Sequence, residues 1–133
     1  MLPGTVAAAT RTSGSTTFLA TVLTGAEEAP GPGDPDGIGA IVLALKPSTG
    51  QVCWAYTVRR VDPVTAAHIH LARVGAPGPV VVTLGASGIR SYSIGCTTVA
   101  PAVVAAIVAD PDAYYVNVHN AAFPTGALRG QLD

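Results

Sequence analysis

The stretch IGAIVLALK-PSTG-QVCWAYTVRRV, residues 38–61, decides the fold. Its flanks are rich in β-branched, aromatic and small apolar residues, and Pro47-Ser48-Thr49-Gly50 between them has turn chemistry. The stretch reads as a hairpin with strands over Ile38–Lys46 and Gln51–Val61. The first strand is apolar almost throughout and is expected to be buried on both faces. In the second, Trp54 and Tyr56 share a face with Val52 and Val58, which reads as core. Cys53, Ala55 and Thr57 on its other face are small and would let another element pack closely.

The same alternation of short apolar runs and turn residues continues outward from the hairpin. Strands are expected over Thr16–Thr24, Thr65–Leu71, Val80–Leu84, Ser91–Thr97, Tyr114–Asn120 and Gly126–Leu132. Glu27–Asp36, with three prolines and two glycines, is a loop, and Arg73–Pro79 is another. The period changes once, at Pro101–Ala109, which reads as the single helix, with Thr98 as its N-cap and Asp110-Pro111 as its stop. Residues 1–15 read as a flexible tail and 16–133 as one domain. Seven to eight short strands and one short helix predict an all-β, antiparallel Greek-key β-sandwich or barrel.

Composition narrows the function classes. The 133 residues are 49% hydrophobic and only 11% charged, which excludes disorder driven by charge. The net charge is −1 and the seven basic residues are scattered, so no nucleic-acid partner is expected. No apolar run approaches the ~20 residues of a membrane span. Nucleophilic catalysis and phosphoryl transfer have no motif, and Glu27 and Glu28 are loop neighbours rather than a glycosidase pair. Cys53 and Cys96 fit no CxxC pattern; they are two buried thiols or one disulfide of an oxidising compartment. The disulfide is the preferred reading. It goes with a secreted, extracellular or periplasmic protein whose leader has been removed, since the N-terminal residues lack a basic and an apolar region.

Chemistry concentrates on three histidines. His68 and His70 alternate with Ala67, Ile69 and Leu71, so both imidazoles point to one side of their strand. Tyr115, Asn117 and His119 likewise share one side of theirs, opposite Val116 and Val118. If the two strands are neighbours, His68, His70 and His119 converge into a three-nitrogen metal site with an open position. Without a metal, the same imidazoles are hydrogen-bonded structural residues. Glu28, Asn117, Tyr115 and Arg129 are the candidates to support such a site. For each there is a plainer role. Glu28 could be a solvated loop carboxylate or the ion-pair partner of Arg129. Arg129 most readily closes a salt bridge, Asn117 holds a strand end, and Tyr115 packs.

Three ordered segments resemble the CHRD domain family. Leu23-Thr24-Gly25-Ala26-Glu27-Glu28-Ala29-Pro30 is similar to its opening L-x-G-x-x-E-x-P. Ala67-His68-Ile69-His70 followed by Gly75-Ala76-Pro77-Gly78-Pro79-Val80 resembles A-H-I-H…G-x-x-G-P-V. Tyr114 to His119 with Gly126 to Leu132 resembles Y-V-N-V-H…G-x-I-R-G-Q-L. Ala72-Arg73 stands where a Gly is common, and Asn120 where a Thr often follows the His. The resemblance implies an extracellular β-rich domain without a defined activity, and it favours a Cys53–Cys96 disulfide. A looser likeness links His68-Ile69-His70 to the H-x-H strand of Cu/Zn superoxide dismutase, although three histidines cannot build that enzyme's two-metal site.

The expected function is therefore an extracellular domain binding one transition metal ion through His68, His70 and His119. Copper is preferred over zinc, with a role in copper handling or reactive-oxygen chemistry. The alternative is a metal-free module for a protein partner or for homo-oligomer assembly.

Overall fold

Alternation governs the 38–61 hairpin. A computed structural model describes residues 14–85 and 88–133. In it β2 (Ile38–Lys46) and β3 (Gln51–Arg59) pair antiparallel, Ile38 opposite Arg59 and Lys46 opposite Gln51. The turn closes on Gly50, whose φ of 78° lies in the left-handed region and whose N–H donates to the Lys46 carbonyl at 3.0 Å. Trp54, Tyr56, Val52 and Val58 are buried together, as their shared face requires.

Three expectations for this hairpin are corrected. β2 is not buried on both faces: Ile41, Leu43 and Leu45 point inward, while Ile38 and Val42 remain exposed. Among the described residues no element packs on the Cys53–Ala55–Thr57 side, so both strands present that face to solvent. β3 also ends at Arg59 rather than Val61, because Arg60 takes φ 58° and turns the chain out of the strand.

The remaining strands are β1 (Thr17–Thr24), β4 (Val64–Leu71), β5 (Val80–Leu84), β6 (Tyr92–Thr98), β7 (Tyr114–Asn120) and β8 (Leu128–Gln131). All eight belong to one antiparallel sheet in the order β5-β4-β7-β8-β1-β2-β3-β6. Non-consecutive neighbours make this a Greek-key topology rather than a meander. The sheet curls until its ends nearly meet. Tyr56 Oη and Ser93 Oγ both donate to the Gly85 carbonyl at 3.2 Å, and Val64 and Ile89 form an isolated bridge. Inside the curl lie Leu23, Leu43, Trp54, Ile69, Val116 and Leu128 among other apolar side chains.

The helix α1 (Pro101–Ala109) lies against β2 and β3 and buries Val104 and Ile107. Pro101 starts it, since proline at the first turn forfeits no helical hydrogen bond. Its N-cap is Ala100, without a side-chain cap bond, and not Thr98, which is the last residue of β6. Of the expected N-terminal tail, residues 1–13 lie outside the described residues.

Cys53 and Cys96 face each other across β3 and β6 and form a disulfide, Cα to Cα 4.0 Å, closing 43 residues. In the chain-entropy account such a link stabilises by about 4 kcal/mol. A Cys53→Ser/Cys96→Ser chain is expected to lose roughly 2–4 kcal/mol in urea unfolding. A loss below the ~0.5 kcal/mol typical of surface changes would show that the link is incidental to stability.

Candidate functional site

Pairing of β4 with β7 builds the site. His68 stands opposite Asn117, His70 opposite Tyr115 and Ala66 opposite His119. The inward sides of these strands carry Ala67, Ile69, Val116 and Val118, all fully buried. Their outward sides therefore carry every imidazole in the chain. The three rings converge: one nitrogen from each of His68, His70 and His119 falls within a group spanning 4.8 Å.

Backbone carbonyls orient two of the rings. His119 Nδ1 lies 3.0 Å from the Pro124 carbonyl, and His70 Nδ1 lies 2.8 Å from the Gly78 carbonyl. The Pro124 contact calls for a protonated Nδ1 and leaves His119 Nε2 as the atom offering a lone pair, whereas both ring nitrogens of His70 face oxygen acceptors, Nδ1 the Gly78 carbonyl and Nε2 Asn117 Oδ1. His119 Nε2 lies 3.2 Å from His68 Nδ1. His70 Nε2 lies 2.8 Å from Asn117 Oδ1. His70 is buried, whereas His68 and His119 are half-buried and open toward solvent.

The outward face of this part of the sheet is roofed by the 72–79 loop. Arg129, fully buried, donates to the Ala76 carbonyl at 2.7 Å and the Arg73 carbonyl at 3.0 Å. Gln131 Nε2 donates to the Ala72 carbonyl at 2.8 Å, and the Gly78 N–H donates to Tyr115 Oη at 3.3 Å. Tyr115 is layered between His70, whose ring is parallel at 4.7 Å, and the Arg129 guanidinium, 3.5 Å from the ring centre. The loop that supplies the Gly78 carbonyl to His70 is thus fixed through Tyr115, Arg129 and Gln131.

Arg129 does not close a salt bridge. Its terminal nitrogens donate to carbonyls and to Gln131 Oε1, its Nε has no partner among the described residues, and among those residues the one ion pair is the exposed Arg73–Asp110 contact. Sequence pattern cannot anticipate this, because the acceptors are backbone atoms of a loop more than fifty positions away. Glu28 is likewise not a solvated carboxylate: it is buried, and its Oε2 has no hydrogen-bond partner among the described residues. Its carboxyl lies against Gly126, where a Cβ would collide with it and where φ is 142°.

Burial drives the protonation behaviour. Desolvation, reinforced by the neighbouring His119 and His70, lowers His68 from 6.5 to about 4. His119 is lowered mainly by desolvation, against the Pro124 carbonyl, which raises it. Desolvation raises Glu28 from 4.5 to about 7, opposed by the Asn117 side-chain donor, the Arg129 charge and the Ala29 N–H. Asn117 therefore stands between Glu28 and His70. At neutral pH the cluster offers His68 and His119 as neutral imidazoles, the form a metal ion requires.

The CHRD domain model matches residues 19–132. The chain belongs to the CHRD domain family. No curated protein and no solved structure matches it. The match spans all eight strands apart from the first two residues of β1, so the cluster sits within the CHRD domain itself.

The two kinds of group act oppositely on stability. His68 lies lower in the fold than in the unfolded chain. Its contribution is complete above 6.5 and is lost as pH falls toward 4. Glu28 lies higher in the fold. Its contribution is complete below 4.5 and is lost as pH rises through 7. In chelator, the Tm of Glu28→Gln relative to the unsubstituted chain is expected to climb between pH 4.5 and 7 and then level off. A difference independent of pH would contradict the buried, raised carboxyl. Gly126→Ala is expected to cost on the order of 1–3 kcal/mol in urea unfolding by crowding Glu28. A neutral result would mean that the carboxyl moves freely.

Proposed function

We propose that this CHRD domain binds one transition metal ion through His68, His70 and His119. The observation that carries the reading is the convergence of three imidazole nitrogens within 4.8 Å, two of the rings anchored through Nδ1 on carbonyls. Outer partners of this kind fix the tautomer and aim of a ligating histidine. The depressed His68 and His119 favour the neutral ligand form as well. His119 Nε2 and His68 Nδ1 are the atoms that would hold the ion. His70 joins through Nε2 once that atom leaves Asn117 Oδ1, keeping its bond to Gly78. Asn117 would then take a supporting role, with Glu28 behind it. Tyr115 and Arg129 would hold the loop above.

Copper is favoured over zinc. An all-imidazole donor set suits both, but divalent copper binds nitrogen ligands more tightly along the first-row series. When bound, copper would supply one-electron chemistry, and zinc would supply Lewis acidity. The first would fit copper handling or reactive-oxygen chemistry. A superoxide dismutase-like two-metal site is outside the reach of three histidines. The Cys53–Cys96 disulfide fits an oxidising compartment, which supports a secreted setting.

Elemental mass spectrometry on untagged protein, before and after incubation with Cu(II) or Zn(II), tests the reading. The expected result is close to one equivalent of copper, lost in His119→Ala with the fold retained by circular dichroism. Burial lowers His68 to about 4, so its imidazole stays neutral, the form a metal ion requires, at pH values where free imidazole, near 6.5, is already protonated. No retained metal in either state would leave the histidines as structural residues.

A further inference from the structure

The metal reading leaves unused the opposite side of the molecule, where β1, β2, β3 and β6 turn a face outward that nothing described covers. Three rows of outward side chains cross these four strands, giving twelve positions. The middle row runs Ala20, Val42, Ala55, Ile94. The rows beside it begin at Phe18 and Val22 on β1 and end at Cys96 and Tyr92 on β6. None of the twelve is charged. Exposure reaches 69% at Phe18 and 75% at Ile94. Lys46 and Arg59 stand beyond the two ends of the face, at its rim.

The relief of this face sets ridges beside hollows. Large side chains line its two outer strands, Phe18 and Val22 on β1 and Tyr92 and Ile94 on β6. The centre is a trough floored by alanines. Val42 divides the trough into a depression of about 380 Å³ on the β6 side and one of about 220 Å³ beside Phe18. An isologous contact requires one patch to fit its own copy. In such a contact the β1 ridge of one copy would enter the β6-side depression of the other, and the second copy's ridge would return the contact.

The size suits a dimer. Four strands at ~4.8 Å spacing, crossed by rows ~6.8 Å apart, give a projected footprint on the order of 400 Å². Corrugation by Phe18, Tyr92 and Ile94 brings the accessible area toward the ~800 Å² per partner of a standard interface. A continuous apolar patch of this size on a monomer marks an interaction site rather than ordinary surface.

We propose that this face is the interface of a symmetric homodimer, the two sheets stacked through β1, β2, β3 and β6. The interface is independent of the histidines, which lie on β4 and β7. The test is sedimentation velocity in EDTA from micromolar to millimolar protein. The unsubstituted chain is expected to rise from 13.3 kDa toward twice that mass. Val42→Lys and Ile94→Lys, both at exposed positions, are expected to stay monomeric with unchanged circular dichroism and Tm. Three results would overturn the proposal. One is a monomer throughout the range, which would give the face to a different occupant. Another is a dimer indifferent to both lysines, which would put the contact elsewhere. The third is a dimer abolished by EDTA or by His119→Ala, which would make it metal-bridged.

Discussion

Antiparallel pairing of β4 with β7 is the constraint on which the rest depends. It brings together residues about fifty positions apart and sets them in one register, His68 against Asn117 and His70 against Tyr115. Because side chains alternate along each strand, that register decides both sides at once. Ala67, Ile69, Val116 and Val118 complete the interior, and every imidazole is left outside. A slip of one residue would bury histidines and expose the core, so the apolar packing itself holds the cluster in place.

Once the imidazoles stand outside the sheet, something must keep them from open water if they are to have directed chemistry. Loops do this here. The 72–79 segment is tied by Arg129, Gln131 and Tyr115, and it presents the Gly78 carbonyl to His70. The 120–127 segment presents Pro124 to His119. Buried and, among the described residues, without a carboxylate within ion-pair distance, Arg129 is held by carbonyls and by the face of Tyr115. This network explains why so few charges are needed. Neutral acceptors take the guanidinium's terminal N–H groups, and backbone carbonyls orient two of the histidines.

The two sides of the molecule differ in what protects them. The histidine side is roofed, and its polar groups mostly have partners. Among the described residues, the side made by β1, β2, β3 and β6 has neither roof nor charge. Edge strands are the usual hazard of a β-protein, but here the ends of the sheet nearly close on one another through Gly85, Tyr56 and Ser93. The exposed apolar area is thus a sheet face, and faces associate by side-chain relief rather than by backbone pairing.

Strand positions, the single helix and the outward alignment of His68 with His70 were legible in the residues, because they follow from local periodicity and turn chemistry. So was the pairing of functions on β7, where Tyr115, Asn117 and His119 alternate with valines. Three properties belonged to the tertiary structure. The solvent exposure of Val42 and Ile38 depends on what packs against β2, which apolar content cannot report. The carbonyl partners of Arg129 depend on a loop whose backbone has no sequence signature. The burial of Glu28 depends on contact with Gly126, far along the chain. The sequence by itself thus determined which side chains share a strand face. Only the folded sheet decided which faces meet water, because burial is a relation between elements and not a property of any one of them.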